Sequence, residues 1–192
     1  IIVQNWQWPF HLFLSPLPKK ISSPYFFNFG LFDTGALLHS LSSAFADALI
    51  SAYPTIGTAS PDITAPQILF GPAYKGIPLV ATIATELASR GRGNIGYSYN
   101  RKEVKTHGEG GSIVGSSLGG GKKVLIIDDV ITAGTAIRQA YDIVKAEGGE
   151  VVGLVVALDR EERGQGIKST VQEVEEELGV RVISVVKMRD IT

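Results

Sequence analysis

Apolar residues along the chain fall into two patterns that predict alternating helices and strands. One stripe recurs at three- and four-residue steps, as on a helix packed against a core: Leu37, Leu38, Leu41, Phe45 and Leu49. Further helices are predicted over residues 77–90, 135–146 and 170–178, the last with a start signal in Ser169 and Gln172. Short, mainly apolar runs predict strands at 68–70, 124–127, 151–158 and 180–186, and residues 95–100 are strand-like.

The alternation of apolar strands with helices indicates an α/β fold with a mostly parallel sheet covered on both faces. In such sheets ligands bind beyond the carboxyl ends of the strands. Three segments follow strands in this way: GPAYKG (71–76), DDVITAGT (128–135) and DREERG (159–164). From residue 101 to Lys122 no regular pattern is visible, and seven of the fourteen residues from 108 to 121 are glycine.

Two glycine-rich segments are similar to nucleotide-binding motifs but do not meet all of their requirements. GRGNIG (91–96) has the letters of a dinucleotide site, but it follows a predicted helix and precedes a strand, the reverse of the required order. We predict a helix-ending turn there. GGGKK (119–123) is not a P-loop, because that motif needs glycine where Ser116 stands and Ser or Thr where Lys123 stands.

Composition narrows the classes of function. The 192 residues, 44% of them hydrophobic, fit one domain with a substantial core. The formal net charge of -1 gives no sign of a nucleic-acid partner. The chain has no cysteine, which excludes disulfides and thiolate metal sites and fits a cytoplasmic location. Its three scattered histidines argue against a histidine metal site.

The first 18 residues, IIVQNWQWPFHLFLSPLP, are apolar and aromatic. They lack a basic leader, are interrupted by Pro9 and Pro16, and are shorter than a membrane span. We therefore expect neither a signal peptide nor a membrane anchor in this segment.

The segment DDVITAGT is suited to a sugar phosphate. Small residues at 131–135 allow backbone N–H groups to approach an anion at a helix N-terminus, and Thr132 and Thr135 add hydroxyl donors. Asp128 and Asp129 would repel the same phosphate, but carboxylates suit neighbouring hydroxyls or a hydrated cation. A ribose 5-phosphate fits both parts of the segment, with its phosphate at the turn and its hydroxyls at the aspartates. The alternative, an aspartate pair that caps the next helix, explains only one carboxylate.

Five motifs together resemble a known family. VLIIDDVITAGTA (124–136) resembles the phosphoribosyl-pyrophosphate (PRPP) signature of the type I phosphoribosyltransferases. The other four are similar to the orotate phosphoribosyltransferases: SPYFFNFGLFDTG (23–35), LFGPAYKGIPL (69–79), NRKEVKTHGEGGSIVGS (100–116) and LDREERG (158–164). The resemblance implies the type I phosphoribosyltransferase fold, a mostly parallel twisted sheet flanked by helices with a small N-terminal hood.

The resemblance also implies a reaction and a set of site residues. In this family Mg²⁺-dependent transfer of the phosphoribosyl group from PRPP to orotate gives orotidine 5′-monophosphate and pyrophosphate, a step of pyrimidine and UMP biosynthesis. The Mg²⁺ is carried mainly by PRPP and pyrophosphate, with no metal site on the protein. The catalytic residues implied are Lys75, Lys105 and Asp129. The PRPP-binding residues implied are Lys20, Tyr74, Lys75, Arg101, Lys102, Lys105, His107, Asp128, Asp129, Val130, Ile131, Thr132, Ala133, Gly134, Thr135 and Ala136. The orotate-binding residues implied are Phe26, Phe27, Thr132 and Arg160, with Arg160 paired to the orotate carboxylate.

Two loops complete the expected site. In the family the loop after the strand at 68–70 often carries a non-proline cis peptide, so we predict one near Ala73–Tyr74, with Lys75 placed for pyrophosphate; a solvated lysine on a turn is the alternative. Residues 101–121 are expected to form a mobile lid, or else a disordered surface loop. By resemblance the lid reaches into the neighbouring subunit's active site, which makes the enzyme a homodimer.

The N-terminal segment departs from the family pattern. Relatives usually have a helix and then a segment like L-K-S-G-R, whose lysine position falls on Pro18 here, so Lys19 or Lys20 would have to replace it. We divide the chain into an atypical segment, 1–22, and a single domain, 23–192, and hypothesise that the segment comes from an altered gene model or has diverged. A purine phosphoribosyltransferase and a PRPP-sensing transcription regulator are the alternatives, the second disfavoured because about 22 residues cannot hold a DNA-binding domain.

Overall fold

The computed structural model describes residues 14–16, 25–105, 111–164 and 166–191. Two short strands, β1 (Leu14–Pro16) and β2 (Tyr25–Phe27), pair in an antiparallel manner near the start of the chain. A 3-10 turn at Phe29–Leu31 then leads into the first long helix.

The rest of the described chain alternates between helices and strands. The helices are α1 (Gly35–Ala52), α2 (Gly76–Ser89), α3 (Thr135–Ala146) and α4 (Thr170–Leu178). The strands are β3 (Ile68–Gly71), β4 (Gly96–Lys105), β5 (Gly111–Gly115), β6 (Lys123–Val130), β7 (Glu150–Asp159) and β8 (Val182–Lys187). These six strands form one sheet in the order β5-β4-β3-β6-β7-β8. Its neighbours are parallel except β4 and β5, which confirms the predicted fold class.

Alternate residues of the central strands enter cores on opposite faces of the sheet. Leu125 and Ile127 of β6 belong to the core that α1 and α2 cover. Val124 and Ile126 belong to the core that α3 covers. All four side chains are fully buried. Because both faces are covered, residues 124–127 of β6 have no solvent-facing side and are all apolar, as the sequence predicted.

The helix ends follow local sequence signals. Ser169 and Gln172 form the predicted capping box at the start of α4, each side chain bonded to the other's backbone N–H. After α2 the chain turns at Gly91, which has φ 75°, so the prediction of a helix-ending turn at GRGNIG is confirmed. In the part of the chain that is described, no helix is both long enough and apolar enough to cross a membrane.

Residues 101–121 contain more regular structure than the sequence predicted. Strand β4 continues to Lys105, and β5 pairs with it through Ser98 opposite Gly115 and Asn100 opposite Ile113. The sequence shows no regular apolar pattern here because the pairing of β5 with β4 depends on main-chain hydrogen bonds, which do not require particular side chains. Gly115 has φ 97°, and a Cβ there would lie 2.3 Å from the Tyr97 carbonyl oxygen, so this glycine permits a close strand approach.

Candidate active site

The carboxyl ends of β3 and β6 meet at the middle of the sheet. From β3 the chain continues through α2 to β4 on one side, and from β6 it continues through α3 to β7 on the other. At such a switch point the two loops diverge and leave a crevice where ligands bind in open α/β sheets. The loop at 72–75 and the turn at 131–134 therefore border one crevice.

The loop after β3 is held in a tight shape by two glycines. A Cβ on Gly71 would lie 2.2 Å from the Gly76 carbonyl oxygen, so the two backbones are in direct contact. The Ala73–Tyr74 peptide bond is cis, which confirms the predicted non-proline cis peptide. The Ala73 N–H donates to the Asn100 Oδ1 atom at 2.9 Å. Asn100 was not predicted as a site residue.

The structure brings two predicted catalytic residues together. The Lys75 Nζ atom lies 2.6 Å from the Asp129 Oδ2 atom, across the crevice between β3 and β6. The Lys75 side chain is 54% exposed, whereas that of Asp129 is 6% exposed. The ammonium is thus paired on one side and open to solvent on another. The alternative of a solvated lysine on a turn fits only in part, because Lys75 is exposed but also pairs with Asp129.

Asp128 and Asp129 are both buried at the end of β6. The Asp129 N–H donates to Asp128 Oδ1, and the Val130 N–H donates to Asp129 Oδ1, each at 2.9 Å. Burial, followed by the charge of Asp129, raises the pKa of Asp128 to about 7, against the opposing effects of the Asp129 N–H and Lys75. The alternative in which this pair caps the next helix is wrong, because the N-cap of α3 is Gly134.

The turn before α3 has the features expected of an anion site. Gly134 is buried and has φ 75° and ψ 0°, a conformation that favours glycine. Thr132, Ala133 and Thr135 are exposed around it. The N-cap residue has no side chain that could accept from the first N–H groups of α3. Those donors and the positive end of the helix dipole suit a bound phosphate.

Arg160 comes directly after β7, one strand beyond the aspartates. Its side chain is only 7% exposed and its Nη2 atom is paired with Glu162. Its Nε atom is buried and lacks a hydrogen-bond partner in the described structure. Because buried donors are nearly always paired, this atom marks a place where an acceptor is expected.

Some of the other predicted site residues are partly or largely exposed, and some fall outside the described side chains. Tyr74 is 65% exposed, and the Lys102 Nζ atom lies 4.8 Å from the centre of its ring. Arg101 is half-buried in β4. Lys20 and His107 fall outside the described residues, and Phe26, Phe27 and Lys105 are described only by their backbone. Within the described ranges, no three His, Cys, Asp or Glu residues form a group that could hold a metal ion.

Comparison with known proteins agrees with this geometry. A family model described as the phosphoribosyl transferase domain matches residues 52–186. A protein named orotate phosphoribosyltransferase from Photobacterium profundum is 50% identical over 169 residues, which cover 88% of this chain and 74% of the relative. Another protein of that name, from Pseudomonas paraeruginosa, is 48% identical over 170 residues with the same coverage. The chain belongs to the orotate phosphoribosyltransferase family.

A solved structure of the orotate phosphoribosyltransferase family is also similar to this chain. The enzyme of that name from Francisella tularensis aligns with a TM-score of 0.76 and 37% sequence identity, over 93% of this chain and 80% of the other. The resemblance drawn from the five motifs is therefore confirmed at the level of the family and of the fold.

Proposed function

We propose that this chain transfers the phosphoribosyl group from PRPP to orotate, giving orotidine 5′-monophosphate and pyrophosphate for pyrimidine biosynthesis. Two relatives at 48% and 50% identity carry the name of this activity. Within the molecule, the proposal rests on the buried Arg160 guanidinium, whose Nε atom has no hydrogen-bond partner in the described structure. A planar carboxylate such as that of orotate suits an arginine fork, whereas adenine and hypoxanthine have no carboxylate.

In this proposal the phosphoribosyl half of PRPP lies at the crevice between β3 and β6. The turn at 131–135 binds the 5-phosphate, and Asp128 and Asp129 bind the ribose hydroxyls. As the glycosidic C–O bond breaks, positive charge grows on the ribose ring beside these carboxylates. The exposed Lys75 ammonium stabilises the departing pyrophosphate, and orotate attacks from the opposite face of the ring.

The residues at this crevice fit Mg²⁺ that arrives with the substrate. Mg²⁺ keeps several waters and binds through one or two carboxylates together with substrate phosphates. Asp128 and Asp129 supply two carboxylates at the crevice, and Asp129 already pairs with Lys75. When bound, the cation neutralises charge on the pyrophosphate oxygens. We propose that PRPP and pyrophosphate, not a dedicated protein site, provide most of its ligands.

A substrate assay tests the proposed reaction directly. The protein is mixed with Mg²⁺, PRPP and one of orotate, uracil, adenine or hypoxanthine, and the ultraviolet spectrum of the base is followed. Only orotate should be consumed. Consumption of adenine without orotate would overturn the assignment, and consumption of no base would favour a PRPP-binding regulator.

Arg160→Ala tests the role of the guanidinium. The loss of a charged, bidentate partner should raise KM for orotate by about 100-fold, with a much smaller change in KM for PRPP. Arg163→Ala is the matched control, because Arg163 is exposed and its Nε atom donates to the Gly166 carbonyl. Equal effects on the two substrates would count against a carboxylate contact.

The lid expected at 101–121 leads to a second proposal, that the enzyme is a homodimer in which Lys105 acts in the partner's site. Lys105→Ala should then abolish turnover, and so should Asp129→Asn. Mixing the two inactive variants should restore about a quarter of the wild-type activity, since random exchange forms dimers with one intact site. Failure of exchanged subunits to regain activity would place Lys105 in its own subunit's site.

A cytoplasmic location stays a prediction that cell fractionation can test.

A further inference from the structure

The ion pair between Arg138 and Glu177 lies next to the turn that precedes α3. The Arg138 Nη1 atom donates to the Ala133 carbonyl oxygen at 2.9 Å. The Arg138 Nε atom lies 2.9 and 2.8 Å from the two carboxylate oxygens of Glu177, and its Nη2 atom lies 2.6 Å from Glu177 Oε2. One guanidinium therefore joins the turn to α4, which approaches from 39 residues further along the chain.

The turn is packed closely against the side chains of Arg138 and Val174. A Cβ on Gly134 would lie 2.6 Å from Arg138 Nη1 and 3.1 Å from Val174 Cγ2. A side chain at residue 134 would meet the end of the Arg138 side chain and the Val174 methyl group, so glycine permits this close contact. The contact between Arg138 and Ala133 is therefore part of how the turn is built.

The bond to Ala133 also fixes the direction of an N–H group. The Ala133 carbonyl and the Gly134 N–H belong to one planar trans peptide, in which the two bonds point in opposite directions. Because the carbonyl points at Arg138, the Gly134 N–H is directed away from the Arg138 guanidinium. With this orientation, the N–H group can donate to a ligand on the side of the turn opposite Arg138.

We propose that Arg138 is a positioning residue for phosphate binding, which orients the Ala133–Gly134 peptide, and that Glu177 holds Arg138 in place. Neither side chain needs to contact the substrate. The inference rests on the proposed function only in taking the 5-phosphate of PRPP as the anion bound by this turn. Lysine cannot replace Arg138, because a single ammonium cannot reproduce the fork that contacts Glu177 and Ala133 together.

An alternative role is simple stabilisation of the fold by a surface ion pair. The Arg138 and Glu177 side chains are 31% and 49% exposed, and exposed pairs of this kind contribute little to stability. The two roles therefore predict different results. A positioning role changes PRPP binding with little change in Tm, and a stabilising role changes Tm without a selective change in PRPP binding.

The chain offers a matched control one residue away. Glu176 is on the same helix as Glu177 but pairs with Lys168 instead of Arg138. We expect Arg138→Lys to raise KM for PRPP about tenfold and Glu177→Gln to raise it about threefold, with kcat at saturating PRPP and KM for orotate almost unchanged. Glu176→Gln should leave KM for PRPP unchanged. The double variant R138K/E177Q should be no worse than R138K, because both substitutions break one linkage.

Calorimetric titration with Mg²⁺ and PRPP alone separates this inference from the proposed reaction. If the wild type binds PRPP but consumes no orotate, the reaction is wrong, and weaker PRPP binding by Arg138→Lys still supports the inference. Unchanged PRPP affinity in Arg138→Lys overturns it. Equal increases of KM for PRPP and orotate, or equal effects of Glu176→Gln and Glu177→Gln, overturn it as well.

Discussion

Replacing Asp128 by asparagine should stabilise the ligand-free protein and inactivate the enzyme. The change keeps the size of the side chain and the oxygen that accepts from the Asp129 N–H. It removes one of two buried charges that lie next to each other at the end of β6. Residues that serve binding often reduce stability in this way.

The size of the effect follows from the pKa of Asp128. Burial and the neighbouring Asp129 raise this pKa from 3.8 to about 7. Such a difference corresponds to at most about 4.5 kcal/mol, at about 1.4 kcal/mol per pH unit. Coupling to Asp129 and partial screening by solvent reduce the expected gain for Asp128→Asn to between about 1 and 3 kcal/mol at pH 8.

The raised pKa of Asp128 also determines the direction in which its contribution to stability changes with pH. Between about pH 4 and pH 7 the folded protein holds a proton on Asp128 that the unfolded chain has lost, so the contribution of Asp128 to wild-type stability falls as pH rises through this window. Asp128→Asn lacks this proton equilibrium. The difference between the two proteins should be small near pH 4, grow until about pH 7 and then stay constant.

Urea denaturation of the ligand-free protein at several pH values measures this difference. Asp142→Asn is the matched control, because Asp142 is exposed on α3. A variant at Asp128 that is less stable than the wild type at pH 8 would refute the reasoning. A gain that does not depend on pH would refute it too, because the stabilisation would then not come from ionisation.

Three further predictions concern the loop after β3 and the start of α4. Gly71→Ala should lower stability by about 2 kcal/mol, because its Cβ would lie 2.2 Å from a backbone oxygen, whereas Gly35→Ala has open space and should be nearly neutral in thermal melts. Asn100→Ala should lower kcat/KM for PRPP about tenfold, because the Ala73 N–H loses its acceptor; an unchanged value would show that the loop keeps its shape without it. Ser169→Ala should cost about 1 kcal/mol in urea denaturation through loss of the capping box, and no loss would count against that role.

The fold was largely predictable because its signals are local. Apolar runs marked the buried strands, and three-residue and four-residue steps marked the helices, since each pattern reflects which side faces a core. The bounds predicted for α3 and α4 agree with the structure. The strand β5 was missed because it lies at the edge of the sheet, where main-chain pairing with β4 requires no apolar pattern.

In the candidate site, too, local sequence signals reveal some residues and miss others. The segments that follow β3 and β6 could be found from the order of elements, and the structure shows Lys75 beside Asp129. Asn100, Arg138 and Glu177 could not be found in this way. Asn100 contacts a residue 27 positions away, and Arg138 contacts one 39 positions away. Such contacts depend on how the strands and helices pack, and no spacing in the sequence records them.

The order of strands has a consequence for how this enzyme could change during evolution. The residues proposed to bind the sugar and its phosphates lie at the carboxyl ends of β3 and β6, the two strands at the centre of the sheet, whereas Arg160, proposed to bind the orotate carboxylate, follows β7, one position further out. If these proposed roles hold, substitutions after β7 alter the preferred base while the loops at the centre stay as they are. A sheet arranged in this way allows one phosphoribosyl donor site to be inherited unchanged by enzymes that diverge in their acceptor.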